Sequence, residues 1–204
     1  IYMKEYSFVI SDKKYSISNE KELESLLKLF YSNTKVSSVI HWNILMELDN
    51  DLEQIIVSYR WLLNCMKFLS EKYSFLLLVK LGDVLINLIN NSQELAEIIS
   101  KIPDESNKLR LLSILRVKWL TKILFDASDL WNILEWLYGK TERDFIDLLG
   151  KDFVRNIFLS TNEIIMILHF VHDDNKDYLM DIIGIEGAKN KIKNVLNENT
   201  KKIA

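Results

Sequence analysis

Hydrophobic positions recur along this chain with two different periods. From Tyr6 to Ile17 they alternate: Tyr6, Phe8 and Ile10 precede the polar Asp12-Lys13-Lys14, and Tyr15 and Ile17 follow it. Period-two alternation about a polar break predicts a β-hairpin. A lone hairpin is marginal in water, so this one should pack on the next element. That element has helical period: Asn19 can cap a helix with Glu22 answering it, and Leu23, Leu26, Leu27 and Phe30 then share one face. The polar stretch from Ser32 to Ser38 marks a boundary.

From Val39 onward the pattern is helical and restates itself at a spacing of 34 residues. Leu77-Leu78-Val79-Lys80-Leu81-Gly82, Leu111-Leu112-Ser113-Ile114-Leu115-Arg116, Phe145-Ile146-Asp147-Leu148-Leu149-Gly150 and Leu179-Met180-Asp181-Ile182-Ile183-Gly184 fall in register. Ahead of each lies an apolar stripe at i, i+3, i+4, i+7: Leu62, Cys65, Met66, Leu69, then Leu95, Ile98, Ile99, Ile102. The next two are Leu130, Ile133, Leu134, Leu137 and Ile164, Ile167, Leu168, Val171. The second stripe fits after a one-residue insertion near Pro103. Ser58, Asn91, Asp126 and Ser160 stand where each stripe helix needs a cap, with Glu94, Asp129 and Glu163 three residues on in three of the units. Caps that recur with cores predict stacked supersecondary units, none able to bury its apolar face alone.

Between stripe helices a longer segment runs from about Thr141 to Phe158, with counterparts at Lys108 to Leu124 and Tyr73 to Ile89. Arg116 stands where other units carry glycine and resists left-handed backbone, which predicts a continuous helix there, whereas the units with glycine can kink or split at this point. The expectation is a helical hairpin per repeat, with a three-helix variant as the alternative. His41 to Val57 forms a weaker first copy, Leu52, Ile55 and Ile56 matching Val154, Ile157 and Phe158. After Gly184, Ile185, Ala188, Ile192, Val195 and Leu196 oppose Lys189, Lys191, Lys193, Lys201 and Lys202, as in the polar end of a solenoid. A membrane-surface helix is the weaker alternative, since this edge lacks Trp and Phe. The predicted fold is all-α, an α-solenoid of about four helical-hairpin repeats: 1–35 a β-hairpin and helix, 36–184 the repeat domain, 185–204 a capping helix and tail.

Composition narrows the function. Five glycines and one proline in 204 residues are too few for the turns of an all-β fold. The net charge of −3 opposes a phosphate backbone, so nucleic acid is not an expected partner. Cys65 is the only cysteine, which excludes an intrachain disulfide or a cysteine zinc cluster and suits a reducing compartment such as the cytoplasm. Ile1 to Glu5 lacks a signal-peptide core, and no run of eighteen apolar residues offers a membrane span.

His169 and His172 lie three apart on one predicted helix beside Asp173 and Asp174, a spacing that could present two metal ligands. There is no HExxH run and no cysteine partner, so solvated helix-end residues are the favoured reading. Cys65 shares its stripe position with Ile133 and Ile167 and is expected as a buried small hydrophobe. No phosphate loop, GxSxG elbow or paired acid and base stands out, so no catalytic residue, cofactor or metal is expected. Phe68, Trp136 and Phe170 share one repeat position, about 110 degrees off the stripe centre, and Trp131 flanks the other side. Packing between repeats is the favoured reading of this set, and a protein-binding ridge the functional one. Trp119 aligns with Leu85 and Phe153 and is expected in the core.

The period equals that of tetratricopeptide repeats without their defining letters. The Leu149-Gly150-Lys151-Asp152-Phe153 segment resembles degenerate helical repeats in secreted effectors of intracellular bacteria, over Val39 to Gly184. That resemblance implies a protein acting through interactions in a host cell's cytosol. The expected function is a non-enzymatic protein–protein interaction module, an adaptor, scaffold or effector-type binding domain, with a protein or peptide partner. An enzyme, or a regulatory domain of one, with an active site no motif announces is the alternative. Oligomeric state is left open.

Overall fold

A computed structural model describes residues 5–10, 12–31 and 35–184. The predicted capping helix over 185–204 lies outside the described residues. The chain is predominantly helical behind an N-terminal antiparallel hairpin, and it divides into two compact units. One comprises Ile1–Asn90 with Lys101–Pro103, the other Asn91–Ser100 with Asp104–Ala204.

In the first unit β1 (Tyr6–Ile10) pairs with β2 (Lys13–Ile17), Tyr6 opposite Ile17 and Phe8 opposite Tyr15. The second strand begins earlier than the sequence pattern suggested: Lys13 and Lys14 already belong to β2. Tyr6, Phe8 and Ile17 are buried on one face while Ser7 and Val9 are exposed on the other. Helix α1 (Glu20–Leu29) starts on Asn19, whose side chain accepts from Glu22 N at 3.0 Å, and Glu22 accepts in turn from Ser18 N at 2.7 Å. Then come α2 (Lys35–Leu48), a 3-10 turn at Asp49–Asp51 and α3 (Leu52–Ile55). The polar boundary is thus shorter than expected, helix beginning at Lys35. The unit continues with α4 (Tyr59–Met66), α5 (Glu71–Leu81), a 3-10 turn at Gly82–Val84 and α6 (Leu85–Leu88).

Helix α1 packs on α4 and β2, and α2 packs on β1 and α5. Leu23, Leu27, Ile44, Leu45, Leu62, Leu77 and Leu78 are essentially inaccessible. Each such side chain contributes about 1.5–3 kcal/mol by leaving water. Two polar ties cross this core. The Glu20 carboxylate accepts from Val57 N, just ahead of the α4 cap. The buried His41 ring lies 3.2 Å from Leu27 O.

The second unit holds α7 (Ser92–Ser100), α8 (Glu105–Ile114), α9 (Val117–Ile123) and α10 (Ala127–Leu134). It continues through α11 (Lys140–Leu149), α12 (Lys151–Ile157), α13 (Thr161–Phe170) and α14 (Asp173–Ile183). Within this unit the stripe helices α7, α10 and α13 pack in chain order, α10 lying against both others. Helix α11 packs on α8, α9 and α12, and α12 on α14.

Fifteen of the sixteen predicted stripe residues are buried, with Ile164 half-buried. All four predicted caps accept the expected backbone N–H: Ser58 from Trp61, Asn91 from Glu94, Asp126 from Asp129 and Ser160 from Glu163.

In the connecting segment only the expectation at Arg116 is overturned. The segment is not one helix but two, and the break falls at Gly82, Arg116 and Gly150, with φ of 48, 63 and 88°. Arg116 therefore takes the backbone it was expected to refuse, with ψ of 136° against 141° at Gly150. Breaking there lets α9 turn and bury Leu120 and Ile123, a tertiary gain that outweighs local preference. Between one stripe helix and the next the chain thus forms two shorter helices, α5 and α6, α8 and α9, or α11 and α12.

A buried polar position recurs at the start of α5, α8 and α11, where Ser74, Lys108 and Glu142 are 5%, 5% and 1% exposed. Ser74 Oγ donates to Met66 O. Lys108 Nζ donates to Trp136 O at 2.6 Å and pairs with Glu105, which accepts from Tyr138 N at 3.0 Å. Glu142 accepts from Asn175 Nδ2 at 2.8 Å and from His172 N at 3.3 Å. With Ser92 to Asp129, Asn132 to Ser92 and Arg155 Nε to Ile182 O, these ties of the second unit join residues 27 to 40 apart, around one period.

Candidate functional site

The aromatic positions singled out by the repeat divide between the two units. In the second, Leu137 and Val171 close their stripes in the core and thereby turn the adjacent Trp136 and Phe170 outward, 38% and 52% exposed. Trp131, on α10, is half-buried and stacks obliquely on Phe170 with ring centroids 4.9 Å apart. Such a pair contributes about 0.5–1.5 kcal/mol beyond area burial. The Trp131 indole N–H is buried and has no acceptor among the described residues. His169 meets Phe170 edge-on at 5.2 Å. Trp131 and Phe170 are thus brought into contact. Trp136 belongs to the same unit without a ring contact to either among the described residues.

In the first unit Phe68 is half-buried, edge-on to the exposed Tyr31 at 5.7 Å, with Lys28 Nζ 6.0 Å from its ring centroid. Half-buried Trp119 is less enclosed than its alignment with Leu85 suggested.

Sequence reasoning missed Tyr138, which is 55% exposed and meets His172 edge-on at 6.2 Å. Lys108 Nζ, fixed by Glu105 and Trp136 O, stands 5.3 Å over its ring. Its signal was available: Tyr138 lies 34 residues from His172, just past the last stripe residue. Also missed were the residues just ahead of the caps. Phe125 and Leu159 are 80% and 82% exposed, and Val57 in the first unit 64%.

The remaining candidates resolve as follows. His169 ends α13, but His172 lies beyond the extended Val171 and caps α14, so the two do not share a helix. Both are exposed, as helix-end residues should be. Among the described residues no group of three or more His, Cys, Asp or Glu could hold a metal ion. Cys65 is fully buried, and burial with the nearby Glu24 and Glu20 charges pushes its thiol up to about 12. Burial likewise raises the Glu142 carboxyl above its ordinary value, only partly offset by Asn175 and His172. The second unit thus leaves Trp136, Tyr138 and Phe170 exposed, with Lys108 Nζ held over the Tyr138 ring. No described helix is long and apolar enough to cross a membrane.

No family model, curated protein or solved structure matches this chain.

Proposed function

We propose that the chain is a non-enzymatic protein-interaction module in which three-helix repeats stack as an α-solenoid. The aromatic side of the second unit takes a protein or peptide partner. The observation that carries this reading is the exposure of Trp136, Tyr138 and Phe170 at successive repeat junctions. Large aromatics left open to water beside an ordered backbone are the residues that dominate protein interfaces when a partner covers them. Trp131 supports Phe170 from behind, and Phe68 is the same repeat position in the first unit. Stack order among α7, α10 and α13, with polar ties about one period apart, supports the solenoid part of the reading. On the effector resemblance alone, the partner belongs to a host cell's cytosol.

Affinity capture from host-cell lysate tests the surface. Wild type, a Trp136→Ala/Phe170→Ala double variant and Phe125→Ala are compared, the last a more exposed ring that is not among those proposed to bind. The double variant should lose the specifically retained protein while Phe125→Ala keeps it. Equal retention by all three would remove this face from the account.

A further inference from the structure

The hairpin has an edge of its own. Among the described residues the sheet holds two strands, and β1 is paired on one side only. Ile10 opposite Lys13 is the pair next to a two-residue connection, so it exchanges both backbone hydrogen bonds, as do Phe8 with Tyr15 and Tyr6 with Ile17. The close approach of Ser7 Oγ to Ser16 Oγ, 3.4 Å, fits the intervening non-hydrogen-bonded pair. The N–H and C=O groups of Ser7 and Val9 therefore point away from β2.

A cavity of about 510 Å³ runs along that side. It is lined by Ser7, Phe8, Val9 and Ile10, and by Ile40, Asn43, Ile44 and Glu47 of α2. Side chains of a strand alternate between faces, so a cavity touched by four consecutive strand residues follows the strand's edge, where the main chain is. The opposite wall is one face of α2 at i, i+3, i+4, i+7, apolar at Ile40 and Ile44 and acidic at Glu47. Glu47 makes no ion pair among the described residues.

We propose that this groove binds an extended peptide segment, which adds to β1 as a third strand and places a basic side chain against Glu47. Unpaired main-chain groups select an extended chain, the Ile40 and Ile44 wall selects apolar side chains on one of its faces, and Glu47 selects a cation. The groove belongs to the first unit and the aromatic surface to the second, and the test of the groove does not depend on that surface.

The probe is an acetylated, fluorescein-labelled octapeptide of alternating valine and lysine, titrated into the full chain and followed by anisotropy. Two comparison peptides replace lysine by glutamate or N-methylate alternate residues. Both should bind at least tenfold more weakly than the parent. Val9→Pro removes an edge N–H outside the ladder, a position where proline is tolerated, and should weaken binding at least tenfold. Glu47→Lys, on the helix surface, should reverse the preference between the lysine and glutamate peptides. Melting followed by circular dichroism checks that both variants fold, and Glu47→Lys decides the matter if Val9→Pro does not. The proposal is overturned by equal binding of the N-methylated peptide, by an unchanged preference in Glu47→Lys, or by no binding up to about 1 mM peptide. A dimer in sedimentation that Val9→Pro dissociates would also overturn it, by showing that a second copy occupies the edge.

Discussion

Replacing Arg116 by glycine should stabilise this protein, although the substitution adds the poorest non-proline helix former to a helical segment. Arg116 has φ 63° and ψ 136°, a region almost restricted to glycine. A non-glycine residue held there costs about 1–3 kcal/mol. Glycine removes that strain and returns about 0.5–1 kcal/mol through the greater freedom of the unfolded chain. The exposed Arg116 side chain also makes an interaction that the variant gives up, worth about 0–1 kcal/mol if it is an exposed ion pair. The expected net gain is about 1 kcal/mol, or a melting shift of about 2–4 °C in a chain of this size. The assay is urea unfolding followed by far-ultraviolet circular dichroism, with Arg116→Ala alongside. Alanine keeps the Cβ and the strain but loses the side chain, so it should not stabilise. Gly150→Ala is the reverse experiment: a Cβ at Gly150 would meet nothing within 4 Å, so its cost, about 1–3 kcal/mol, is backbone strain alone. Were the segment a continuous helix through Arg116, glycine there would instead cost about 1 kcal/mol. Destabilisation by Arg116→Gly would therefore refute the break and restore the continuous helix.

Four further outcomes are expected. Ser160→Ala should cost about 1 kcal/mol in urea unfolding, because Ser160 and Glu163 form a reciprocal capping box, and Ser160→Asp should cost much less. Cys65 should not react with Ellman's reagent at pH 8 until denaturant is added, since its thiol is buried and pushed up to about 12; rapid reaction of the native chain would contradict its placement. Burial holds His41 below its ordinary value, so the unfolded chain takes up the proton first. Stability should fall as pH drops from about 6.5 through the lower folded value, a slope His41→Gln should abolish. Glu142 has the opposite sign: its raised carboxyl favours the folded state when protonated, so its contribution is lost as pH rises from the ordinary glutamate range through the folded value. Glu142→Gln should melt higher than wild type at pH 7 and lose that advantage as pH falls through the raised folded value to about 4.5.

Much of the helical organisation was legible because its determinants are local. A cap and a stripe each need residues three or four apart, so Ser160, Glu163 and the Ile167 and Leu168 pair announce α13 by spacing alone. The hairpin was legible for the same reason, from alternation at Tyr6, Phe8 and Ile10. What could not be read is what tertiary packing decides. Arg116 turns because α9 must bury Leu120 and Ile123, a demand invisible from the neighbours of Arg116 in sequence. Lys108 and Glu142 look like members of a polar face, yet they are buried because residues about 30 positions further on supply partners, Trp136 O to Lys108 and Asn175 Nδ2 with His172 N to Glu142. The candidate surface was half legible. Its repeat position marked Trp136 and Phe170, but whether a ring some way off the stripe is covered depends on its neighbours. Trp131 and Phe68 are accordingly half-buried, and Tyr138 went unmarked.

The central claim is that one three-helix theme is copied along the chain, each copy contacting its neighbours in the same way. Deleting residues 117–150, one period of 34, tests it most directly by joining Arg116 to Lys151 at equivalent backbone positions. A dispersed amide spectrum, undiminished helicity per residue and cooperative melting are the predicted result, whereas deletion of only 117–133 should leave a poorly dispersed, non-cooperative chain. If both deletions collapse alike, the units are not interchangeable copies and the stacked-repeat account fails.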